Sequence, residues 1–494
     1  MNAKPEYAGF RKSLRKGNVV PVVSDLAADL ETPVSVFLKL ARKKPYAFLL
    51  ESVELGERLG RFSLIGMDPD IILEYRNNQC LFSEQGRRRA VLQGELLPMI
   101  EKTLKRYRLI SDGTLPPLAG GLVGYIGYEL VRQFEEVRIR AKKGLNIPDA
   151  VLFFPTNLIV FDHIKHQLKL IHLAVKDGSA QRTYQNAMRV LNRMKRDLSR
   201  PVPSDTHALN RKKRGVQFRS NMDQKRFEAN VRKAKAYIRA GDCIQVVLSQ
   251  RFDLGTVRDD FKLYRALRSL NPSPYMFYFR HKDLSLVGSS PEMLSKKTGR
   301  TAEIRPIAGT RPRGETEKKD LAYEQALKAS RKEMAEHLML VDLARNDLGR
   351  VSDPKSIRVL DFARVERYSH VMHLVSEVIA SLKHGKTAYD LLKASFPAGT
   401  VTGAPKIRAM EIIDELETER RGPYAGSLGY FSLTGDMDMC ITIRTVVIHK
   451  KRAYVQAGAG IVNDSIPHKE YVETINKARA LLQAVQQISG VESR

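Results

Sequence analysis

Cysteine is scarce in this sequence, and long apolar runs are missing from it. Its three cysteines, Cys80, Cys243 and Cys440, lie far apart in 494 residues with no CxxC spacing. This excludes a zinc ribbon and a disulfide-stapled fold, and it favours a reducing compartment such as the cytoplasm. The basic N-terminus lacks the apolar core of a signal peptide, and no run approaches the roughly 18 apolar residues of a membrane helix. We therefore expect a chain that does not span a membrane.

Acidic residues are also in deficit. Lys and Arg number 83 and Asp and Glu 55, which gives a formal net charge of +28, while 43% of the residues are hydrophobic, as in a globular protein. The positive surplus is spread over both halves of the chain. Nucleic-acid sites usually cluster their charge on one face, so this pattern indicates a general attraction for anions and no nucleic-acid partner.

A polar segment divides the sequence into two regions. In the first region, 1–200, residues 17–200 alternate apolar and polar positions in short runs, such as 46–52, 70–76 and 157–163, which predicts strands of a mixed sheet. Residues 201–217 hold two prolines and end in a run of positive charge, as expected of a linker or exposed loop. We therefore place the main boundary there, with a second region over 218–494.

Two segments of the second region show helical spacing and carry paired glutamates. The first, 318–350, has a predicted inward stripe of Leu327, Met334, Leu338 and Val341, and the second spans 467–488. Glutamates three residues apart, which share a helix face, are Glu333 with Glu336 and Glu470 with Glu473. Such pairs can direct oxygen ligands at Mg²⁺. Simple surface charge, or an ion pair between Glu473 and Lys477, explains them equally well.

Two glycine-containing segments could approach a ligand with their backbone. GTVTGAPK (399–406) predicts a loop that opens a helix over 407–417 and offers N–H groups to an anion. AGAGIV (457–462) predicts a glycine turn after a strand. Neither segment is a Walker A loop, and no G-x-S-x-G nucleophile elbow occurs, so nucleotide binding and covalent hydrolysis are disfavoured.

Two polar residues stand in apolar surroundings. Arg444 lies in the run CITIRTVVI (440–448), which predicts a central strand, and a buried arginine there needs a carboxylate partner from the protein or from a ligand. His373 lies in a second apolar run, where a core histidine and a functional one are both consistent with the pattern.

Taken together, several motifs point to one family. GDCIQVVLSQ, SPEML, PIAGTRPRG, AEHLMLVDLARND, VMHLVSEV, FPAGTVTGAPK, ITIRT and QAGAGIV resemble component I of anthranilate synthase, among the chorismate-utilising enzymes. The resemblance covers nearly the whole chain. It implies an α+β fold in which two antiparallel sheets pack as a sandwich with helices outside. It also implies the conversion of chorismate and ammonia to anthranilate and pyruvate, the first step of tryptophan biosynthesis.

The resemblance also assigns roles to individual residues. Glu336 and Glu473 match direct Mg²⁺ ligands, and Glu333 and Glu470 match water-mediated partners of the metal. Glu292 is similar to a general acid, while His373 and Thr400 match residues near the later loss of a ring proton, with their roles unresolved. The positions that resemble chorismate-binding residues are Gly309, Thr310, Tyr424, Arg444, Gly458, Ala459 and Gly460.

Two positions discriminate between members of the family. Isochorismate and salicylate synthases carry a lysine that activates water where this chain has Gln245, so ammonia fits better as the nucleophile. Aminodeoxychorismate synthase component I, the alternative, has a lysine where this chain has Ala308. The resemblance therefore favours anthranilate as the product.

The remaining implications concern regulation and partners. Ser52, Pro274, Tyr275 and Met276 resemble the tryptophan site of feedback-inhibited members, although core packing also explains the last two. None of the cysteines lies in a glutaminase motif, so a separate glutaminase subunit is implied as the source of ammonia. Family members form heterotetramers of two large and two small subunits.

Overall fold

The structure is a computed structural model that describes residues 3–52, 60–110, 115–140, 142–203, 218–368 and 371–488. Its strands are β1 (Val19–Ala27), β2 (Tyr46–Glu51), β3 (Phe62–Arg76), β4 (Gln79–Glu84), β5 (Arg87–Gln93), β6 (Gly121–Ile126), β7 (Ala150–Asp162), β8 (Gln167–Val175), β9 (Arg219–Ser220), β10 (Gln245–Thr256), β11 (Tyr275–His281), β12 (Leu284–Ser290), β13 (Met293–Thr298), β14 (Thr301–Ile304), β15 (Ile307–Pro312), β16 (Arg358–Arg367), β17 (Val371–Ser381), β18 (Gly403–Ala404), β19 (Ser427–Ser432), β20 (Met437–Ile441), β21 (Thr445–His449) and β22 (Arg452–Ile461).

The helices are α1 (Tyr7–Leu14), α2 (Pro33–Leu40), α3 (Leu96–Leu104), α4 (Ala180–Leu198), α5 (Gln224–Arg239), α6 (Asp260–Leu270), α7 (Glu317–Ala329), α8 (Arg331–Gly349), α9 (Ala388–Ser395), α10 (Lys406–Leu416) and α11 (Pro467–Ile488). In the part of the chain that is described, no helix is both long and apolar enough to cross a bilayer.

The strands form two antiparallel layers that share two long strands. One layer runs β10–β22–β21–β12–β11–β2–β3–β7–β8–β1. The other runs β5–β4–β3–β7–β6–β19–β20–β13–β14–β17, with β15 and β16 also paired to β17. Because β3 and β7 take part in both layers, the hydrogen-bonded network is continuous.

Aromatic side chains fill the space between the layers. Phe279 of β11 stacks on Phe153 of β7 with ring centroids 5.1 Å apart, and Tyr125 of β6 approaches it from the other layer at 6.2 Å. The intervening Tyr278 points the opposite way and packs with Phe37 and Phe261 beneath the outer helices. This period of two explains why alternating runs in the sequence predicted the strands correctly.

The α+β sandwich with outer helices is therefore confirmed, as are the strands predicted at 46–52, 70–76 and 157–163 and the helix predicted over 407–417. The proposed linker falls mostly within 204–217, outside the described residues. The division into two regions stays a prediction, and both regions contribute strands to the same sheets, since β2 pairs with β11 and β6 with β19.

The single helix predicted over 318–350 is wrong in one respect. The structure has two helices that meet at Ser330, which ends α7 and whose hydroxyl accepts a hydrogen bond from the Glu333 N–H at the start of α8. A serine that caps a helix in this way satisfies a free backbone donor and fixes the break. The new start also changes the inward stripe: Leu327 and Val341 are buried as predicted, but Leu338 is 49% exposed and His337 is buried instead.

Candidate active site

A cavity of about 660 Å³ opens between α8, α11 and the ends of β10, β15, β17 and β22. Thirteen of the fourteen residues predicted for catalysis, substrate or metal line it: Glu292, Gly309, Thr310, Glu333, Glu336, His373, Thr400, Tyr424, Arg444, Gly458, Gly460, Glu470 and Glu473. These residues come from nine separate segments of the chain. The fold thus brings together groups that lie up to 181 positions apart in sequence, from Glu292 to Glu473.

Glu292 is the most perturbed carboxyl in this cavity. It lies between β12 and β13 and is 7% exposed. Burial raises the pKa of its carboxyl to about 8, against the opposing effects of the Thr400 hydroxyl and the Lys477 ammonium. The Thr400 Oγ1 atom is buried and close enough to lower the pKa of this carboxyl, although it completes full hydrogen-bonding geometry with none of the described residues. Glu292 is therefore protonated near neutral pH and can donate a proton.

His373 on β17 is held in one tautomer. Its Nδ1 lies 2.9 Å from the Gly309 carbonyl oxygen and 3.1 Å from Thr310 Oγ1. Because a carbonyl only accepts, Nδ1 carries the proton and Nε2 of the neutral ring can accept one. Burial lowers the pKa of His373, the Gly309 carbonyl opposes this, and the nearby Arg444 lowers it further.

The glycine at 309 is required by a bulge in β15. The strand register shifts between Ala308 and Thr310, and Gly309 has φ +62°, where a side chain is strained. A Cβ atom there would lie 3.1 Å from Glu333 Oε2. The bulge therefore brings backbone close to the glutamates of α8.

The four glutamates face the cavity from two helices. Burial and the neighbouring Glu333 raise the pKa of Glu336. Burial also raises the pKa of Glu470, against a hydrogen bond with Ser465 and with a further contribution from Glu473. Glu333 pairs with Arg311 at 3.1 Å, and Glu473 with Lys477 at 2.7 Å, so the ion pair considered from the sequence is present.

This donor set fits a hard divalent cation. Its ligands are all carboxylate oxygens, and burial together with the neighbouring carboxylates raises the pKa of Glu336 and Glu470, so a bound cation would stabilise their charged forms. As the side chains stand, no three His, Cys, Asp or Glu groups within the described ranges converge on one point. The magnesium assignment therefore stays a prediction.

Arg444 is not in a central strand. The predicted strand over 440–448 is broken, because β20 ends at Ile441, β21 starts at Thr445 and Arg444 adopts φ +50° between them. This irregular backbone turns the side chain into the cavity. The described residues offer its guanidinium no ion pair or hydrogen bond, and burial lowers its pKa while Tyr424 and Glu473 oppose the shift. It can therefore bind a carboxylate ligand.

The AGAGIV segment is also not a turn. It continues β22, which pairs with β10 through Ile461, so its two glycines lie on one face of the strand and the intervening Ala459 lies on the other. Gly458 and Gly460 face the cavity, where a Cβ would lie 2.7 Å from Tyr424 Oη and 2.8 Å from Gln245 Nε2. The side chain of Ala459 points the other way, into a separate apolar core, and its predicted substrate contact is not brought into the cavity.

Besides Gln245, four polar residues of the cavity were not predicted as site residues: Lys332, Gln456, Asn476 and Lys477. Lys477 Nζ donates to the Gly458 carbonyl at 3.0 Å besides its pairing with Glu473. Its position one turn after Glu473 was visible in the sequence, but that spacing is equally common on exposed helix faces.

The predicted effector residues also come together. Ser52 directly follows Glu51, the last residue of β2. Glu51 is the register partner of Met276 on β11, and Pro274 and Tyr275 directly precede Met276 in the sequence. The Met276 side chain packs beneath the outer helices, which agrees with the core-packing alternative for that residue. Tryptophan binding itself stays a prediction.

Comparison with known proteins now adds the family. The sequence profile of chorismate binding enzymes matches residues 46–483. The chain belongs to this family. Anthranilate synthase component 1 of Acetivibrio thermocellus is 43% identical over 474 residues, covering 95% of this chain and 96% of its own length, and that of Synechocystis sp. is 44% identical, covering 98% and 99%.

Solved structures agree with this assignment. Anthranilate synthase component I from Streptococcus pneumoniae matches with a TM-score of 0.77 at 37% identity, over 92% of this chain and 99% of that one. The menaquinone-specific isochorismate synthase of Escherichia coli shares the fold, with a TM-score of 0.72 at 20% identity over 97% of this chain and 99% of its own. The resemblance seen in the motifs is confirmed.

Proposed function

We propose that this chain is the large subunit of anthranilate synthase and converts chorismate and ammonia to anthranilate and pyruvate. The observation that carries the proposal is the juxtaposition in one cavity of a carboxyl that is protonated at neutral pH, Glu292, with an arginine free to bind a carboxylate, Arg444. Similarity to relatives named anthranilate synthase component 1 supports it over almost the full length.

Binding comes first. Arg444 pairs with a carboxylate of chorismate, and Gly458 and Gly460 leave space for the ring against β22. Glu336 and Glu473, with Glu333 and Glu470 behind them, would hold Mg²⁺, which when bound supplies positive charge to the ring carboxylate. Tyr424 remains neutral because burial raises its pKa to about 12, so it can donate a hydrogen bond.

Two proton transfers follow. Ammonia adds at ring C2 while Glu292 protonates the C4 hydroxyl, which leaves as water. The enolpyruvyl group then leaves as pyruvate and the C2 proton is lost, which restores the aromatic ring. Nε2 of His373 can accept that proton, because Nδ1 is held by Gly309, and Thr400 lies on the same cavity wall.

Two further residues favour ammonia and a complete reaction. Gln245 lines the cavity with a neutral amide that cannot serve as the base for water, and Ala308 offers no nucleophile to the ring. Aminodeoxychorismate synthase component I, which stops before pyruvate is lost, is the second candidate. We favour the first because Ala308 stands where that enzyme has a lysine.

The proposal includes partners and a location. Ammonia comes from a separate glutaminase subunit, the two chains form a heterotetramer of two copies each, and tryptophan inhibits the complex at the site around Ser52. We place the protein in the cytoplasm, where its three free cysteines would stay reduced.

One assay tests the activity. The purified chain is incubated with chorismate, MgCl₂ and ammonium at mildly alkaline pH, and the products are identified by mass and fluorescence. We expect anthranilate with equimolar pyruvate. An aminated product that keeps its pyruvyl group would favour the second candidate, and unreacted chorismate with folded protein would overturn both.

A further inference from the structure

A buried arginine outside the cavity donates hydrogen bonds to the backbone of residues that line it. Arg421 follows α10 by a few residues, and its side chain is 1% exposed. Its Nη1 donates to the Val401 carbonyl and its Nη2 to the Val247 carbonyl, each at 2.8 Å. Val401 and Val247 both line the cavity but come from unconnected segments, the 3₁₀ turn at Gly399–Val401 and β10. One guanidinium therefore joins two pieces of the wall.

The carboxylate partner of Arg421 extends this link. Glu417 accepts from Arg421 Nε at 2.9 Å and Nη2 at 2.6 Å, a bidentate pair that fixes the plane of the guanidinium. Glu417 Oε1 also accepts from the N–H and the hydroxyl of Ser249, both at 2.8 Å. The Ser249 hydroxyl in turn accepts from Nε2 of Gln456 at 2.8 Å, and Gln456 lines the cavity.

Arg421 also contacts the ring of Tyr424, a predicted substrate-binding residue. The Arg421 guanidinium carbon lies 5.5 Å from the ring centroid of Tyr424, a cation–π contact. A buried ion pair of this kind contributes little net stability, because desolvation offsets most of the attraction. Its value is geometric, since Arg421 contacts three residues that line the cavity, and the hydrogen bonds through Glu417 and Ser249 end on a fourth, Gln456.

We propose that Arg421 and Glu417 are positioning residues for catalysis, which hold Thr400, Tyr424 and Gln456 in register around the substrate. The proposal rests on the proposed function. It does not make either residue catalytic, because neither lines the cavity. Misplacement of reacting groups by about 1 Å can cost about 10²-fold in rate, so a shift of the Val401 carbonyl, next to Thr400, is enough to matter.

The main test replaces the pair by apolar residues of similar length, Arg421→Met with Glu417→Met. Replacement of a whole buried ion pair often leaves a fold intact, whereas removal of one partner does not. We expect a folded protein whose kcat with ammonium falls about 10²-fold, while KM for chorismate rises much less. Arg420→Met is the matched control, because Arg420 does not line the cavity, its side chain is 25% exposed, and its partner Asp149 keeps a hydrogen bond from the Asn77 N–H.

The pH profile separates positioning from folding. The groups that act on the Glu292 carboxyl are the Thr400 hydroxyl and Lys477, and both oppose the rise of its pKa. If Thr400 moves away in the double variant, the pKa of Glu292 rises further, so the alkaline limb of the profile of kcat against pH shifts to higher pH. In Arg420→Met this limb stays in place. Thermal denaturation, followed in parallel, reports folding independently.

Two results would overturn the proposal. One is a wild-type kcat in the folded double variant. The other is a loss of kcat equal to that in Arg420→Met, with no shift in the alkaline limb of the pH profile. If the double variant does not fold, Arg421→Lys decides, because a lysine keeps the charge but cannot span both carbonyls in the fork geometry, and we expect at least about a tenfold lower kcat. Failure of the wild-type chain to form anthranilate would count against the proposed function instead.

Discussion

Tyr275 donates a hydrogen bond from its hydroxyl to Asp438 Oδ1, at 3.0 Å, across the space between the two sheet layers. Tyr275, itself one of the predicted effector residues, begins β11, whereas Asp438 lies on β20 of the other layer. Three residues further on, the N–H of Ile441 donates to the carbonyl of Glu292 at 3.0 Å. Hydrogen bonds and one short strand therefore connect the predicted tryptophan site with the proposed general acid.

This connection leads to a prediction about inhibition. A ligand can shift an equilibrium only through contacts that differ between two states, and the Tyr275–Asp438 bond is one contact that effector binding could change. We expect Tyr275→Phe to need several-fold more tryptophan for half inhibition. The control is Tyr278→Phe on the same strand, whose hydroxyl bonds to Asp260 at 2.9 Å beneath the outer helices. Identical inhibition curves for wild type and Tyr275→Phe would contradict this route.

Glu292→Gln tests the general acid. The amide keeps the shape of a protonated carboxyl but cannot give up a proton, so we expect kcat to fall by about 10²- to 10⁴-fold. In the wild type, kcat should decline as pH rises through about 8, where the Glu292 carboxyl loses its proton. The residual activity of the variant should lack this decline. A variant with near wild-type turnover would exclude Glu292 as the acid.

The same carboxyl should also affect stability. Because burial raises the pKa of Glu292 to about 8 from its ordinary value of 4.5, the folded state keeps a proton that the unfolded state releases. The contribution of Glu292 to the free energy of unfolding therefore decreases as the pH rises from 4.5 to about 8. We expect Glu292→Gln to lose less thermal stability than wild type over that range, measured by calorimetry at several pH values. Parallel curves would mean that the Glu292 pKa is not raised.

The sequence predicted the members of the site better than their local backbone. The motifs around Glu292 and His373 are long and ordered, so they located the cavity walls correctly. The AGAG segment, however, has no large side chains, and without them alternation cannot separate a strand from a turn. Ser330 is compatible with a helix interior and with a cap, and only the packing of α8 decides between them. Lys477 was ambiguous because an i,i+4 pair has the same spacing in a cavity and on a surface.

Glu336→Gln tests the metal assignment. Removal of its charge relieves the repulsion from Glu333, so without metal the variant should be at least as stable as wild type. With Mg²⁺ added, wild type should gain thermal stability and the variant should need more than about tenfold more metal for the same gain. Asp342→Asn is the control, since Asp342 lies on the outer face of α8 and pairs with Arg345. Equal Mg²⁺ responses in all three proteins would remove Glu336 from the ligand set.

Gly458→Ala tests the space that β22 leaves for the substrate. A Cβ at this position would lie 2.7 Å from Tyr424 Oη and 3.0 Å from the Leu248 carbonyl oxygen, so the strand or Tyr424 must move. Overpacking of this kind costs about 1–3 kcal/mol of stability. Since the added methyl group also occupies the cavity, we expect KM for chorismate to rise about tenfold or more and kcat to fall less. Gly349→Ala at the end of α8 is the control, because the nearest atom to its Cβ is Ile357 Cδ1 at 3.7 Å. A wild-type KM in Gly458→Ala would show that chorismate does not lie against β22.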